Sequence, residues 1–221
     1  MKVFLTRLMY VIIGLLLYAL GIVTTIKANV GFAPWDVFHY GIVNITGLSF
    51  GTVSILIGLI ILIFVAFSGE KPGLGTILNM LLIGIFLDIL FKIDIIPKMT
   101  GFLSGIIMLI AGLFIISLGT YFYIRSAFGI GPRDSLMVVL ARKTKIPVGI
   151  CRSIIELTVT IAGWFLGGMV GAGTVISVIG IGFCVQITFR VLKFDVTSVK
   201  HESLSDTVNV LKKILPGKDK Y

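Results

Sequence analysis

Lys27-Ala28-Asn29-Val30-Gly31-Phe32-Ala33-Pro34-Trp35-Asp36 is answered, 98 residues later, by Arg125-Ser126-Ala127-Phe128-Gly129-Ile130-Gly131-Pro132-Arg133-Asp134. In each stretch a basic residue ends an apolar run and a glycine permits a tight reversal. A proline then stands where a helix can begin, because the first turn leaves its N–H position unbonded anyway. The aspartate two positions on falls in the first turn of that helix, at the positive end of its dipole. The segment beyond each proline, 35–45 in one copy and 133–143 in the other, is only partly apolar. A short helix lying at the interface or dipping into a bundle is predicted in both places.

Working outward at the same shift of 98, residues 14–91 align without a gap on 112–189. Gly14 falls on Gly112, Gly21 on Gly119, Gly51 on Gly149 and Gly69 on Gly167. Gly73, Gly75, Thr76 and Gly84 fall on Gly171, Gly173, Thr174 and Gly182. Apolar runs coincide readily by chance; glycines, a proline and an aspartate in one register do not. The chain is therefore an internal repeat. Gly31, Pro34, Gly129, Pro132, Gly173 and Thr174 are its structural signature.

Composition says what solvent the repeat meets. Of 221 residues, 57% are hydrophobic and only 13% charged, with a mean hydropathy of +1.11; a soluble domain carries about 25% charged residues. Residues 8–26, 50–69, 72–87, 99–124 and 157–189 contain no Asp, Glu, Lys or Arg. A helix needs about 20 apolar residues to cross a bilayer. The last run is too long for one crossing and is cut at Gly167-Gly168 and Gly171-Ala172-Gly173. Six spans result, at about 8–27, 50–68, 73–92, 101–124, 150–167 and 173–192. The first has a counterpart later in the chain and lacks a small-x-small cleavage site, so it reads as a span rather than a signal peptide.

Each repeat holds three spans, an odd number, so the second copy is expected upside down relative to the first. Charge agrees. With the N-terminus cytoplasmic, fifteen Lys and Arg fall inside, three (Lys27, Lys92, Lys98) outside, and Arg152 within a span; basic residues collect on the cytoplasmic side. Segment 28–49 has one acid and no Lys or Arg, whereas its counterpart 126–147 carries Arg133, Arg142, Lys143 and Lys145. The expected fold is all-α integral membrane, six transmembrane helices as two inverted three-helix repeats (1–98 and 99–193), with a basic tail at 194–221. Both termini are expected in the cytoplasm. The net charge of +9 is then a topology signal and not the footprint of a nucleic-acid partner.

Charged groups at membrane depth are costly and usually face protein or water. Arg152 and Glu156, four apart, share one face of span five and can pair with each other, or form a coupling site with Asp134 or Asp88. Asp88 belongs to a stripe, Thr76, Met80, Gly84, Asp88, mirrored by Thr174, Val178, Gly182, Gln186. Asn79 and Ser177 are a second matched polar pair. The Gly-x-x-Pro-x-Asp motif is either a twice-used capping turn or two helix starts facing a shared cavity, where Asp36, Asp134 and Arg133 handle an ion or solute. Gly105, Gly112 and Gly119, like Gly14 and Gly21, recur every seven residues and suit close helix packing. Tyr121, Phe122 and Tyr123 read as an interfacial aromatic belt. Cys151 and Cys184 stand alone, as small packing residues. In the tail, Leu204, Val208, Leu211 and Ile214 form an apolar face after a Ser203 or Ser205 cap.

No phosphate loop, His-Glu-x-x-His or cysteine cluster is present. His39 and His201 are expected on opposite sides. No cofactor, metal site or enzymatic activity is expected.

The paired Gly31-x-x-Pro34-x-Asp36 and Gly129-Ile130-Gly131-Pro132-Arg133-Asp134-Ser135-Leu136-Met137, then Arg152-x-x-x-Glu156 and Gly163-Trp164-x-x-Gly167-Gly168-x-x-Gly171-x-Gly173-Thr174, resemble the YczE/YyaS/YitT group of bacterial membrane proteins. The resemblance covers all but the tail. It implies a bacterial plasma-membrane location and adds weight to Arg133, Asp134, Arg152 and Glu156, but implies no particular activity. The leading expectation is a small secondary transporter, dimeric or not, moving a small polar or charged solute. Asp134, Arg133, Glu156 and Arg152 would be its binding or coupling cluster, with Asp36 and Asp88 as partners. The alternatives are a non-transporting accessory to a biosynthetic or envelope complex, and the substrate-binding membrane subunit of a multi-component importer.

Overall fold

Long charge-free runs have no water to satisfy their backbone, so helix is the form left to them. A computed structural model describes residues 2–214 and is helical through every such run. The elements are α1 (Lys2–Lys27), α2 (Pro34–Thr46), α3 (Phe50–Phe67), α4 (Leu74–Ile93), α5 (Phe102–Arg125), α6 (Pro132–Thr144), α7 (Val148–Phe165), α8 (Ala172–Val191) and α9 (Leu204–Ile214). Among the described residues there is no strand. Six helices, α1, α3, α4, α5, α7 and α8, are long and apolar enough to cross a membrane. The short α2 and α6 have 13 residues each and begin on Pro34 and Pro132, as the motif predicts. Lys218 and Lys220 of the expected tail lie outside the described residues, and the side chains of Leu211, Lys212, Lys213 and Ile214 are likewise not described.

The register found in the sequence reappears in the backbone. Adding 98 to the bounds of α2, α3 and α4 gives those of α6, α7 and α8, and the end of α1, Lys27, maps on the end of α5, Arg125. Left-handed positions pair at the same shift: Asn29 (φ 56°) with Ala127 (φ 59°), and Gly31 (φ 114°) with Gly129 (φ 121°).

Small residues decide the packing. A Cβ on Gly14 would stand 2.9 Å from the Gly119 carbonyl oxygen, and one on Gly21 2.9 Å from that of Gly112. Those pairings run in opposite directions along the two helices, so α1 and α5 lie antiparallel with their backbones in contact. The short helices cross over: α2 packs chiefly on α7, where Gly163 meets Phe38, while α6 packs on α3. Around this core, large apolar side chains such as Ile60, Phe67, Leu103, Phe165 and Val191 are left exposed. A water-soluble surface rarely carries so many; lipid is the solvent they suit.

The connecting loops lock onto the opposite repeat in matched fashion. Gly173 N donates to the Val30 carbonyl at 2.7 Å, and Gly75 N to the Phe128 carbonyl at 2.7 Å. Thr76 Oγ1 reinforces the second contact by donating to Ile130 O at 2.7 Å. A Cβ on Gly31 would stand 2.6 Å from Gly171 N, and one on Gly129 2.9 Å from Gly73 Cα. Glycine is required at both on conformational and steric grounds alike.

Candidate functional site

Proline at the first helical position leaves the next residues of α2 and α6 free to project from a helix start. Trp35 and Asp36 do so from α2, Arg133 and Asp134 from α6. Both starts face a cavity of about 410 Å³ and a smaller one of about 90 Å³ that adjoins it. Trp35, Arg133, Arg152 and Glu156 line both spaces. Thr120, Tyr123 and Phe189 line only the larger, Leu113, Ser177 and Val178 only the smaller. The two are therefore stacked along the bundle, the larger toward the C-terminal ends of α5 and α8.

The Arg133 guanidinium lies over the Trp35 ring, 4.8 Å from its centroid, and Nη2 stands 3.4 Å from His39 Nε2. Among the described residues no carboxylate comes within ion-pair distance of Arg133. Asp134 lies deep in the protein, yet its carboxylate is open to the larger cavity and accepts no hydrogen bond from the described residues. Consecutive helical residues point about 100° apart, so Arg133 and Asp134 do not neutralise each other directly. Arg152 and Glu156 do: Arg152 Nε donates to Glu156 Oε1 at 2.8 Å, with Glu156 the more buried partner. Asp36 is buried beside the smaller space, within electrostatic range of Arg133.

Five of the six polar residues singled out in the sequence thus line one pair of connected spaces. Asp88 does not. It accepts from Gly51 N at 2.7 Å and from Ser49 Oγ at 2.6 Å, and so caps the start of α3 from α4. Its place in the stripe reflects helix contact: Gly51 packs against Gly84 and Asp88, leaving no room for a side chain.

Other members of the site went unread. His39 is fully buried, with Nδ1 unpartnered among the described residues, and it touches Arg133 from the other repeat. His201, from the tail, lines the mouth of the larger cavity, where partial burial lowers its imidazole pKa further below neutrality. Tyr121 and Tyr123 are buried and not part of an interfacial belt; Tyr123 lines the cavity and its hydroxyl lacks a partner among the described residues. Their aromatic run at a helix end mimicked a belt, and nothing in it announces an inward face.

The tail closes one end of this space. Arg7 Nη1 meets Glu202 Oε1 at 2.7 Å and Arg7 Nε donates to Ser126 O at 2.7 Å. Glu202 N donates to Ala127 O at 2.9 Å, and Leu204 N to Pro72 O at 3.0 Å.

Residues 5–190 match a family described as one of unknown function, DUF6198. The chain belongs to this family. The uncharacterized membrane protein YczE of Bacillus subtilis is 37% identical over 177 residues, 79% of this chain and 81% of YczE. An uncharacterized protein of Haemophilus influenzae is 34% identical over 83% of this chain and 85% of its own length. The uncharacterized protein YyaS of Bacillus subtilis is 30% identical over 78% and 87%. The resemblance carried by the paired motifs is borne out for YczE and YyaS. No solved structure matches the chain.

Proposed function

We propose that this protein is a small secondary transporter of the bacterial plasma membrane, with two inverted repeats enclosing one solute site and both termini in the cytoplasm. The observation that carries this reading is the cavity at the start of α6, where Asp134 and Arg133 stand open with neither charge directly paired. Uncompensated charges inside an apolar bundle are costly and are tolerated where a watery path or a solute meets them. A second support is the matched exchange of contacts between the copies, Val30 with Gly173 and Phe128 with Gly75. Repeats related by an axis in the membrane plane produce such exchange, and transporters place their sites between them.

In this reading the Trp35–Arg133 stack divides a larger inward space from a smaller outward one. Rocking of the repeats about α1 and α5 transfers access from one to the other. Tail residues 196–204 must yield for solute to enter from the cytoplasm. Asp134 binds, and the Arg152–Glu156 pair couples binding to proton or ion movement.

The test is counterflow in proteoliposomes, screened over a library of small solutes already ranked by thermal stabilisation of the purified protein. Asp134→Asn and Glu156→Gln should abolish flux of any solute found while the folded protein persists. Undiminished flux in both variants removes the cluster from the mechanism. Removing residues 203–221 should leave flux largely intact; a scaffold working through its tail would instead lose its partner.

A further inference from the structure

Resting on the transport reading for its context, we infer that the larger cavity takes a zwitterionic α-amino acid with an aliphatic side chain. Charge decides the polar head of the ligand. Arg133 stacks one face of its guanidinium on Trp35 with Nη2 beside His39, which leaves the remaining in-plane N–H groups for a carboxylate. Asp134, the next residue on the same helix start, offers an unbonded carboxylate suited to an ammonium group. The second basic residue of the wall, Arg152, donates from Nε to Glu156, so its charge is matched by a carboxylate and a dianion such as phosphate is disfavoured.

The lining charges, Arg133, Arg152, Asp134 and Glu156, sum to zero, matching a ligand that carries both signs and no net charge. The rest of the wall decides the side chain of the ligand. Ile22, Met80, Ile83, Ile116 and Ile181 make an apolar surface across from the helix start. The buried Tyr123 hydroxyl, unpartnered among the described residues, is a further hydrogen-bonding group beside it. A volume of about 410 Å³ holds such a solute together with several waters.

The experiment uses the full chain in nanodiscs and three probes of one shape. These are leucine, leucinol (no carboxylate) and 4-methylpentanoate (no ammonium). Leucine should raise the unfolding temperature saturably, with an apparent affinity roughly tenfold or more above either truncated probe, the scale of one charge-assisted contact. Asp134→Asn should erase the preference for leucine over 4-methylpentanoate, and Arg133→Gln the preference over leucinol. Should Arg133→Gln fail to fold, Arg133→Lys, which keeps charge but loses the planar N–H groups, should reduce leucine affinity while leaving leucinol unchanged.

Equal binding of leucine and either truncated probe overturns the inference, as does no binding across alanine, valine, leucine and methionine. Counterflow separates the two levels. Flux of a different solute with no amino-acid binding overturns this inference and leaves the transporter standing. Selective amino-acid binding without flux does the reverse.

Discussion

Asp134 and Asp88 are both acids on helices of an apolar bundle, and their surroundings set them apart. Asp88 accepts two hydrogen bonds at the start of α3, so Asp88→Asn exchanges one acceptor for a donor facing Gly51 N or Ser49. A loss of about 1–2 kcal/mol is expected, read as a lower unfolding temperature, with solute flux retained. Asp134 accepts no hydrogen bond from the described residues, so Asp134→Asn removes a desolvated charge and breaks no hydrogen bond. Its unfolding temperature should hold or rise while flux disappears. The Arg152–Glu156 pair behaves differently again. Arg152→Gln strands Glu156, whose side chain is only 11% exposed, and should destabilise by about 1–3 kcal/mol. Adding Glu156→Gln should restore much of that, the signature of a coupled pair in a double-mutant cycle.

Between helices, the same residue type has opposite weight in different places. A Cβ on Gly21 would stand 2.5 Å from Ile116 Cγ1 and 2.9 Å from the Gly112 carbonyl, so Gly21→Ala forces α1 from α5 and should cost about 2–3 kcal/mol. Gly149, in the first turn of α7, has nothing within 4 Å, and Gly149→Ala should be neutral or gain up to about 1 kcal/mol from helix propensity. Thermal unfolding of the two variants side by side checks the contrast. The tail helix adds a pH dependence. Ser203 N and Oγ both donate to Asp206 Oδ2, at 2.9 and 2.6 Å, and hold the Asp206 carboxyl below the usual carboxylate range. A depressed folded-state pKa contributes stability that is complete above the unfolded value, near pH 4, and is lost as pH falls through the folded one. Amide protection over 204–210, taken relative to the intrinsic exchange rate, should fall in that window and be flat above about pH 5. Ser203 is thus the cap, where the sequence left Ser203 and Ser205 open.

At the scale of the molecule, legibility followed from what repeats. Gly31, Pro34 and Asp36 matched Gly129, Pro132 and Asp134 in one register, and that register alone located α2 and α6, the breaks at Gly69 and Gly167, and the helix starts that meet at the cavity. Which side chains meet across the bundle stayed hidden. His39 touches Arg133, Asp88 caps α3, and the tail seals a mouth through Arg7 and Glu202; these are contacts between distant elements, and periodicity reports a helix face without its neighbour. The sidedness of the copies rests on their charge contrast, and it has a direct test. Leu48 and Ile146 sit 98 apart, both exposed, in the matched loops after α2 and α6. Cys151 and Cys184 are buried and can be replaced by Ala, giving a background free of thiols. In intact cells, a membrane-impermeant maleimide should label Leu48→Cys; Ile146→Cys should react only after the membrane is opened. An odd number of spans, α3, α4 and α5, plus the embedded α6 separates the two positions if the copies are inverted. Labelling of both from one side would leave the copies parallel. The exchanged contacts between Val30 and Gly173 and between Phe128 and Gly75 would then need another origin, and rocking about α1 and α5 would no longer carry solute across.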